Sequence, residues 1–355
     1  MPETFKIPGS KKIQNKDLPV FTRLMAAMLD AGMPLVQVLE TLESETANKQ
    51  FLPVIMGIRE YVEAGESLSE AMNHYPTVFD TLYLSMIRAG ETSGMMSDIA
   101  MRLAGYLEES QLLKRKVKSA LMYPVMVTLV AVALTTGMII FIVPAFAEMY
   151  ADFDAGLPAP TQFLVNLSNF MRAYAPFVGV GLILLALVFN QYRKTAAGRY
   201  SIDKAMLQLP VFGDLIKKVS LARFSSTFAE LTRAGVPIIK ALDIVAAAAN
   251  NAVLTNAVLD ASPKIEGGAG ISVSIGQNPA FPRLLIQMMS AGEKSGKLDE
   301  MLQRISDIYK SEVDATVDGL TSLIEPLLIT FLGVTVGGIV VAMFMPIFRM
   351  TDIIM

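Results

Sequence analysis

Gly292-Glu293-Lys294-Ser295-Gly296-Lys297 is the nearest approach in the chain to a phosphate-binding loop, in which backbone amides cradle phosphates, a lysine pairs with them and a hydroxyl holds magnesium. Three features argue against that chemistry. The spacing is one residue short, Leu298 stands where the hydroxyl is needed, and a matching stretch, Gly90 to Met95, has Met95 in place of Lys297. A capped turn between helices fits both stretches better, because Gly94 and Gly296 permit tight geometry and Ser93 and Ser295 precede them. Glu91 and Glu293 then either accept nearby amide donors or face a partner, which makes these six residues candidates for coupling.

Other chemistry is scarce. The chain has no cysteine and a single histidine, His74, set beside Tyr75 and Pro76 in a turn. A thiolate nucleophile and a His/Cys metal cluster are therefore excluded, no HExxH pattern occurs, and the apolar runs lack the histidine of a serine–histidine membrane protease. A formal net charge of −3 and an isoelectric point of about 5.4 give no basic field for nucleic acid. Glu325 is the carboxylate that stands out, directly before Pro326 at the edge of an apolar run. It is a candidate coupling residue, although Tyr123 before Pro124 occupies the matching place and favours simple interfacial positioning. No catalytic residue, cofactor or metal is expected.

The elements that must position these residues are membrane helices and helical bundles. Hydrophobic residues make up 53% of the 355 and charged residues 18%, with a mean hydropathy of +0.47, above the usual soluble range. Ser119–Ala147, Ala173–Tyr192 and Pro326–Phe348 carry no charge, and each reaches the about 20 residues that cross a bilayer. Lys114, Arg115, Lys116 and Lys118 precede the first run; Arg193, Lys194 and Arg199 follow the second. Because basic residues stay cytoplasmic, the first helix leads out and the second leads back, with this belt also facing anionic phospholipids. Parity sends the third outward, although Arg349 after it argues mildly the other way. The start, Met1 to Pro19, lacks the apolar core of a signal peptide. Gly333 and Gly337 have the spacing that permits close helix packing in a membrane.

The chain also repeats itself. Phe21–Pro34, FTRLMAAMLDAGMP, matches Phe224–Pro237, FSSTFAELTRAGVP, and Ala-Gly-Glu-x-Ser-Gly occurs at both Ala89 and Ala291. At the same offset as the second match, Phe79 pairs with Phe281, Pro124 with Pro326 and Pro144 with Pro346, so the duplication includes a membrane helix. Apolar stripes at helical spacing (Phe21, Leu24, Met25 and Met28; Phe224, Phe228 and Leu231) predict a compact bundle in each copy. Ser67 and Glu70 have capping-box spacing, which Gly270 and its neighbours do not retain.

These motifs, with GESLSEAM, RAGETSGMM, SAGEKSGKL and the span-entering LMYPV and IEPLL, resemble the type II secretion F-domain family of inner-membrane platform proteins. The resemblance covers about Lys16 to Phe348. It implies an all-α membrane protein with two homologous cytoplasmic bundles, 16–118 and 193–325, and spans at 119–147, 173–192 and 326–348. A polar lead (1–15), a periplasmic connection (148–172) and a periplasmic tail (349–355) complete the layout. Relatives commonly have a longer lead, so contacts made by theirs are not carried over. The resemblance further implies a non-enzymatic platform, forming homo-oligomers, whose partners are a cytoplasmic hexameric assembly ATPase, pilin or pseudopilin subunits and inner-membrane scaffold proteins. Pilus assembly is preferred to type II secretion, and a membrane transporter is the alternative of another class.

Overall fold

The computed structural model describes residues 17–151, 158–210 and 212–354. The 1–15 lead and part of the 148–172 connection lie outside the described residues. Among the described residues every regular element is a helix: α1 (Asp17–Asp30), α2 (Leu35–Glu45), α3 (Leu52–Glu63), α4 (Leu68–Asn73), α5 (Thr81–Ser93) and α6 (Met96–Gly137). A π-helical turn (Met138–Ile142) leads to α7 (Val143–Ala151), then α8 (Ala159–Lys194), α9 (Ala196–Gln208) and α10 (Phe212–Arg233). The chain closes with α11 (Ile238–Ala248), α12 (Ala252–Glu266), α13 (Ile271–Ile275), α14 (Arg283–Ser295) and α15 (Leu298–Ile354). Two compact units result. One comprises the chain up to Lys116 and Asp203–Asp314, and the other Val117–Ile202 and Ala315–Met355.

The first unit holds both helical bundles. In the first, Phe21 packs its ring edge-on to Phe51 at 5.2 Å, and Phe79 lies 4.9 Å from Tyr83. Phe224 takes the same place in the second, 5.1 Å from Phe281 and 5.9 Å from Phe228. Burying each such ring contributes about 1.5–3 kcal/mol. The buried stripe of α1 differs from expectation. Leu24 is 44% exposed, and the inward face is Phe21, Thr22, Met25 and Ala26. Its centre is displaced because Thr22 Oγ1 lies 3.0 Å from the Tyr83 hydroxyl, a buried pairing that draws Thr22 inward and turns Leu24 out. The second copy lost half of this pair. Leu285 stands where Tyr83 would be, and the buried Ser225 hydroxyl has no partner among the described residues.

Ala-Gly-x-Pro ends the first helix of each repeat in one way. Gly32 and Gly235 adopt φ +80° and +75°, a left-handed geometry that only glycine enters without strain. The following amides, Met33 and Val236, then reach back to the Met28 and Leu231 carbonyls. Pro34 and Pro237 open α2 and α11, where a missing amide costs nothing.

Among the described residues three helices are long and apolar enough to cross a membrane, with apolar windows within Met96–Met149, Phe177–Lys194 and Leu328–Met345. Helix α8 begins at Ala159, so much of the expected 148–172 connection is helical. Ile139, Val143, Ile339 and Met343 form a core where α7 and the π-helical turn meet α8 and α15. Around this core the duplicated prolines leave a backbone deficit. Pro346 has no N–H for the carbonyl four residues before it, that of Ala342, and Pro144, likewise without an N–H, directly follows the π-helical turn that holds Ile140, in which the Val143 amide reaches back five residues to Met138. Helix α8, which belongs to neither repeat, supplies a side-chain donor next to each proline. Arg172 Nε donates to the Ile140 oxygen at 2.9 Å, with Nη2 on the same oxygen, and Thr161 Oγ1 donates to the Ala342 oxygen at 2.5 Å. Gly333 and Gly337 meet no neighbouring atom within 4 Å of where a Cβ would stand, so among the described residues no helix packs into their spacing.

Candidate coupling turns and a basic cleft

The Ala-Gly-Glu-x-Ser-Gly turns join α5 to α6 and α14 to α15. Gly94 and Gly296 are left-handed C-caps at φ +69° and +70°. The next amides, Met95 and Lys297, return to the Gly90 and Gly292 carbonyls at 3.1 and 2.9 Å. Ser93 and Ser295 spend their hydroxyls on the Ala89 and Ala291 carbonyls, each at 2.8 Å. Gly90 and Gly292 let the following helix approach closely: a Cβ at Gly292 would stand 2.8 Å from Leu298 Cα.

The glutamates cap a helix in their own bundle. Glu91 accepts the Ser69 amide at 3.1 Å, sharing the start of α4 with the Ser67–Glu70 capping box. Glu293 does more. It accepts the Ile271 amide at 2.8 Å, the Ser272 amide at 3.1 Å and the Ser272 hydroxyl at 2.7 Å. Gly270, the residue that removes the capping box from the second copy, makes this possible, because a Cβ there would come within 3.2 Å of Glu293 Oε1. Desolvation pushes the Glu293 carboxyl up, but the bonds from Ser272 and Ile271 outweigh it and hold its pKa below the ordinary carboxylate value.

Glu293→Gln is expected to cost about 1–2 kcal/mol at neutral pH, the usual loss for a helix cap. Since folding lowers this pKa, the stabilisation is present above the ordinary carboxylate range and disappears as pH falls through the folded value. Denaturant titrations from pH 7 to 3 should therefore show wild type and variant converging on the acid side. A constant difference would exclude the ionised cap.

Helices α6 and α15 also face each other within the first unit. Lys310 Nζ lies 2.5 Å from Glu109, and Lys116 Nζ 2.6 Å from Asp314. Lys116 of the basic belt thus has a protein partner, and Arg115 donates to Gln111 at 3.3 Å. Lys114, Lys118, Arg193, Lys194 and Arg199 are exposed. Glu325 lies in α15, but its side chain is outside the described residues.

Two half-buried charged residues carry no signal in the sequence reading. Arg223 and Glu230 sit on α10, each with a buried side-chain atom, Nε and Oε2, that has no partner among the described residues. Desolvation raises the Glu230 pKa and lowers that of Arg223. Two charges among the buried Phe224, Phe228 and Leu231 were the available signal, and on a helix of a bundle it is a faint one.

A single family profile, described as Type II secretion system (T2SS), protein F, matches the chain twice, at residues 21–144 and 224–346. The chain belongs to this family. Each match starts in the first helix of a bundle and ends inside a membrane-type helix, and α8 lies in neither. Similar proteins over nearly the whole chain carry two kinds of name. Type IV pilus assembly protein PilC of Myxococcus xanthus is 40% identical over 98% of this chain and 84% of its own. That of Thermus thermophilus is 42% identical over 94% and 82%. Type II secretion system protein F of Xanthomonas campestris pv. campestris is 34% identical over 97% and 85%.

Proposed function

We propose that this chain is an inner-membrane platform protein that couples a cytoplasmic assembly ATPase to insertion of pilin subunits into a type IV pilus. The double family match carries the reading: two bundle-and-span units separated by one extra helix. A single additional span returns the chain across the membrane, so both bundles meet one cytoplasmic motor. The basic clusters before the first span and after the second support that orientation. Relatives named for pilus assembly, at 40% and 42% identity, favour pilin over pseudopilin. A relative named for type II secretion keeps pseudopilin assembly as the second reading. ATP belongs to the partner in either case.

The proposed coupling is mechanical. α6 and α15 each run without a loop from a coupling turn into an apolar stretch. A displacement of the bundle would pass to the membrane along these two helices. Glu91, Ser93, Gly94 and their counterparts Glu293, Ser295 and Gly296 serve by setting the angle at which these helices leave, while Glu325 stands near the entry to the third span.

Purification of the tagged chain from membranes under mild crosslinking should retrieve an assembly ATPase together with pilin subunits. Retrieval of pseudopilins would move the assignment to secretion, and retrieval of neither would overturn both readings. The cysteine-free chain also allows a topology test. Met95→Cys and Lys297→Cys place thiols at equivalent exposed turns of the two repeats, and an impermeant maleimide should label both only after lysis.

A further inference from the structure

Two copies of one fold can meet isologously, each presenting the same surface, or heterologously, through two different surfaces, one of each then staying free. The bundles of the first unit meet in the second way. Tyr106 and Glu109 of α6 line a narrow cleft with Ala222 and Ser226 of α10 and Lys310 of α15. There the Tyr106 hydroxyl lies 2.9 Å from Thr227 Oγ1, and Glu109 lies 2.5 Å from Lys310. The repeat names the two counterpart surfaces. The register that pairs Phe21 with Phe224 puts Leu24 in the place of Thr227 and Val20 in that of Arg223, and the register that pairs Phe79 with Phe281 puts Ile308 in the place of Tyr106. An isologous contact would seat Ile308 on Leu24 inside the chain. Instead Ile308 is 40% and Leu24 44% exposed, while Thr227 is fully buried.

Both counterparts have changed character together. Where a hydroxyl meets a hydroxyl within the chain, a leucine and an isoleucine stand exposed. Val20 and Leu112 are exposed as well, one helical turn from the Arg23–Glu108 ion pair of α1 and α6, so the Leu24 surface is an apolar patch around one paired charge. We infer that the α15 surface of one copy, centred on Ile308, docks onto the α1–α6 surface of a second copy, centred on Leu24. The contact between copies then repeats the contact between bundles. Ile308 stands for Tyr106 and Leu24 for Thr227, and the exposed Ser311 hydroxyl faces the Glu108 carboxylate where Glu109 faces Lys310. It is directional, because each copy offers one surface and receives at the other. The inference uses only the repeat register and exposure, so it stands or fails apart from the pilus assignment, which partner retrieval tests.

The cysteine-free, full-length chain provides the test. Chains carrying Leu24→Cys and chains carrying Ile308→Cys, distinguished by tags, are expressed together, and their membranes are treated with a short bifunctional maleimide. A covalent pair with one of each tag is expected, and neither variant expressed alone should form one. Pairing of Leu24→Cys with itself would make the contact isologous and overturn the inference. Capture by Leu24→Cys of a different membrane-associated protein, with no mixed pair, would give the surface another occupant and overturn it too. In mild detergent, Leu24→Glu and Ile308→Glu should each weaken self-association about tenfold or more, because the docked surface buries the new charge. Leu24→Lys mixed with Ile308→Glu should recover part of that loss. Both positions are exposed, so the unfolding midpoint of the variants should stay near that of wild type. Self-association untouched by either charge, or a monomeric wild type, overturns the contact.

Discussion

Replacing Arg172 with methionine is expected to destabilise the membrane unit by about 1–3 kcal/mol, and Thr161→Val by a similar amount, because each leaves a backbone carbonyl without its side-chain donor. Loss toward the upper end is expected where hydrocarbon rather than water is the alternative partner. The cause lies in another helix. Pro346 cannot bond to the Ala342 carbonyl, and Pro144 closes the π-helical turn that holds Ile140 without an N–H of its own. Restoring the amide should therefore remove the dependence: Arg172→Met should cost much less in a Pro144→Ala background, and Thr161→Val much less with Pro346→Ala. Two double-mutant cycles, read by unfolding in detergent or bicelles, measure this coupling. Additive cycles would show that Arg172 and Thr161 act elsewhere.

The prolines of this clamp were legible in the sequence as a duplicated spacing, but their partners were not. Arg172 is 32 residues from Ile140 in sequence and Thr161 is 181 from Ala342, so no local periodicity links either pair. The repeat, the all-helical bundles and the three apolar helices were visible because each is written in nearest-neighbour terms: helical stripes, Gly-Pro stops and uncharged runs. Leu24 shows the limit of a stripe. A one-dimensional pattern gives the period of a buried face but not its centre, which here depends on the Thr22–Tyr83 hydroxyl pair.

The two glycines of each coupling turn should fail by different mechanisms when substituted, and the second repeat should be the more sensitive. At Gly292 a methyl group would stand 2.8 Å from Leu298 Cα and 3.1 Å from the Lys297 oxygen. Those are backbone atoms at the start of α15, so relief requires that helix to move, and Gly292→Ala is expected to cost about 1–3 kcal/mol as overpacking. At Gly90 the closest atoms are 3.2–3.3 Å away and include the flexible Met96 Sδ, so Gly90→Ala should cost less. Gly296 has open space around it but φ +70°, where a side chain costs about 1–2 kcal/mol and asparagine less than alanine. Gly296→Asn should thus recover part of what Gly296→Ala loses, while no side chain should recover Gly292. Urea unfolding of the four variants gives the order, and if Gly292→Ala proved as mild as Gly90→Ala, close backbone approach could not be what fixes the direction of α15. Under the proposed mechanism, Gly292→Ala should also weaken fibre assembly more than its stability loss explains, because it changes the angle at which the bundle hands motion to its helix.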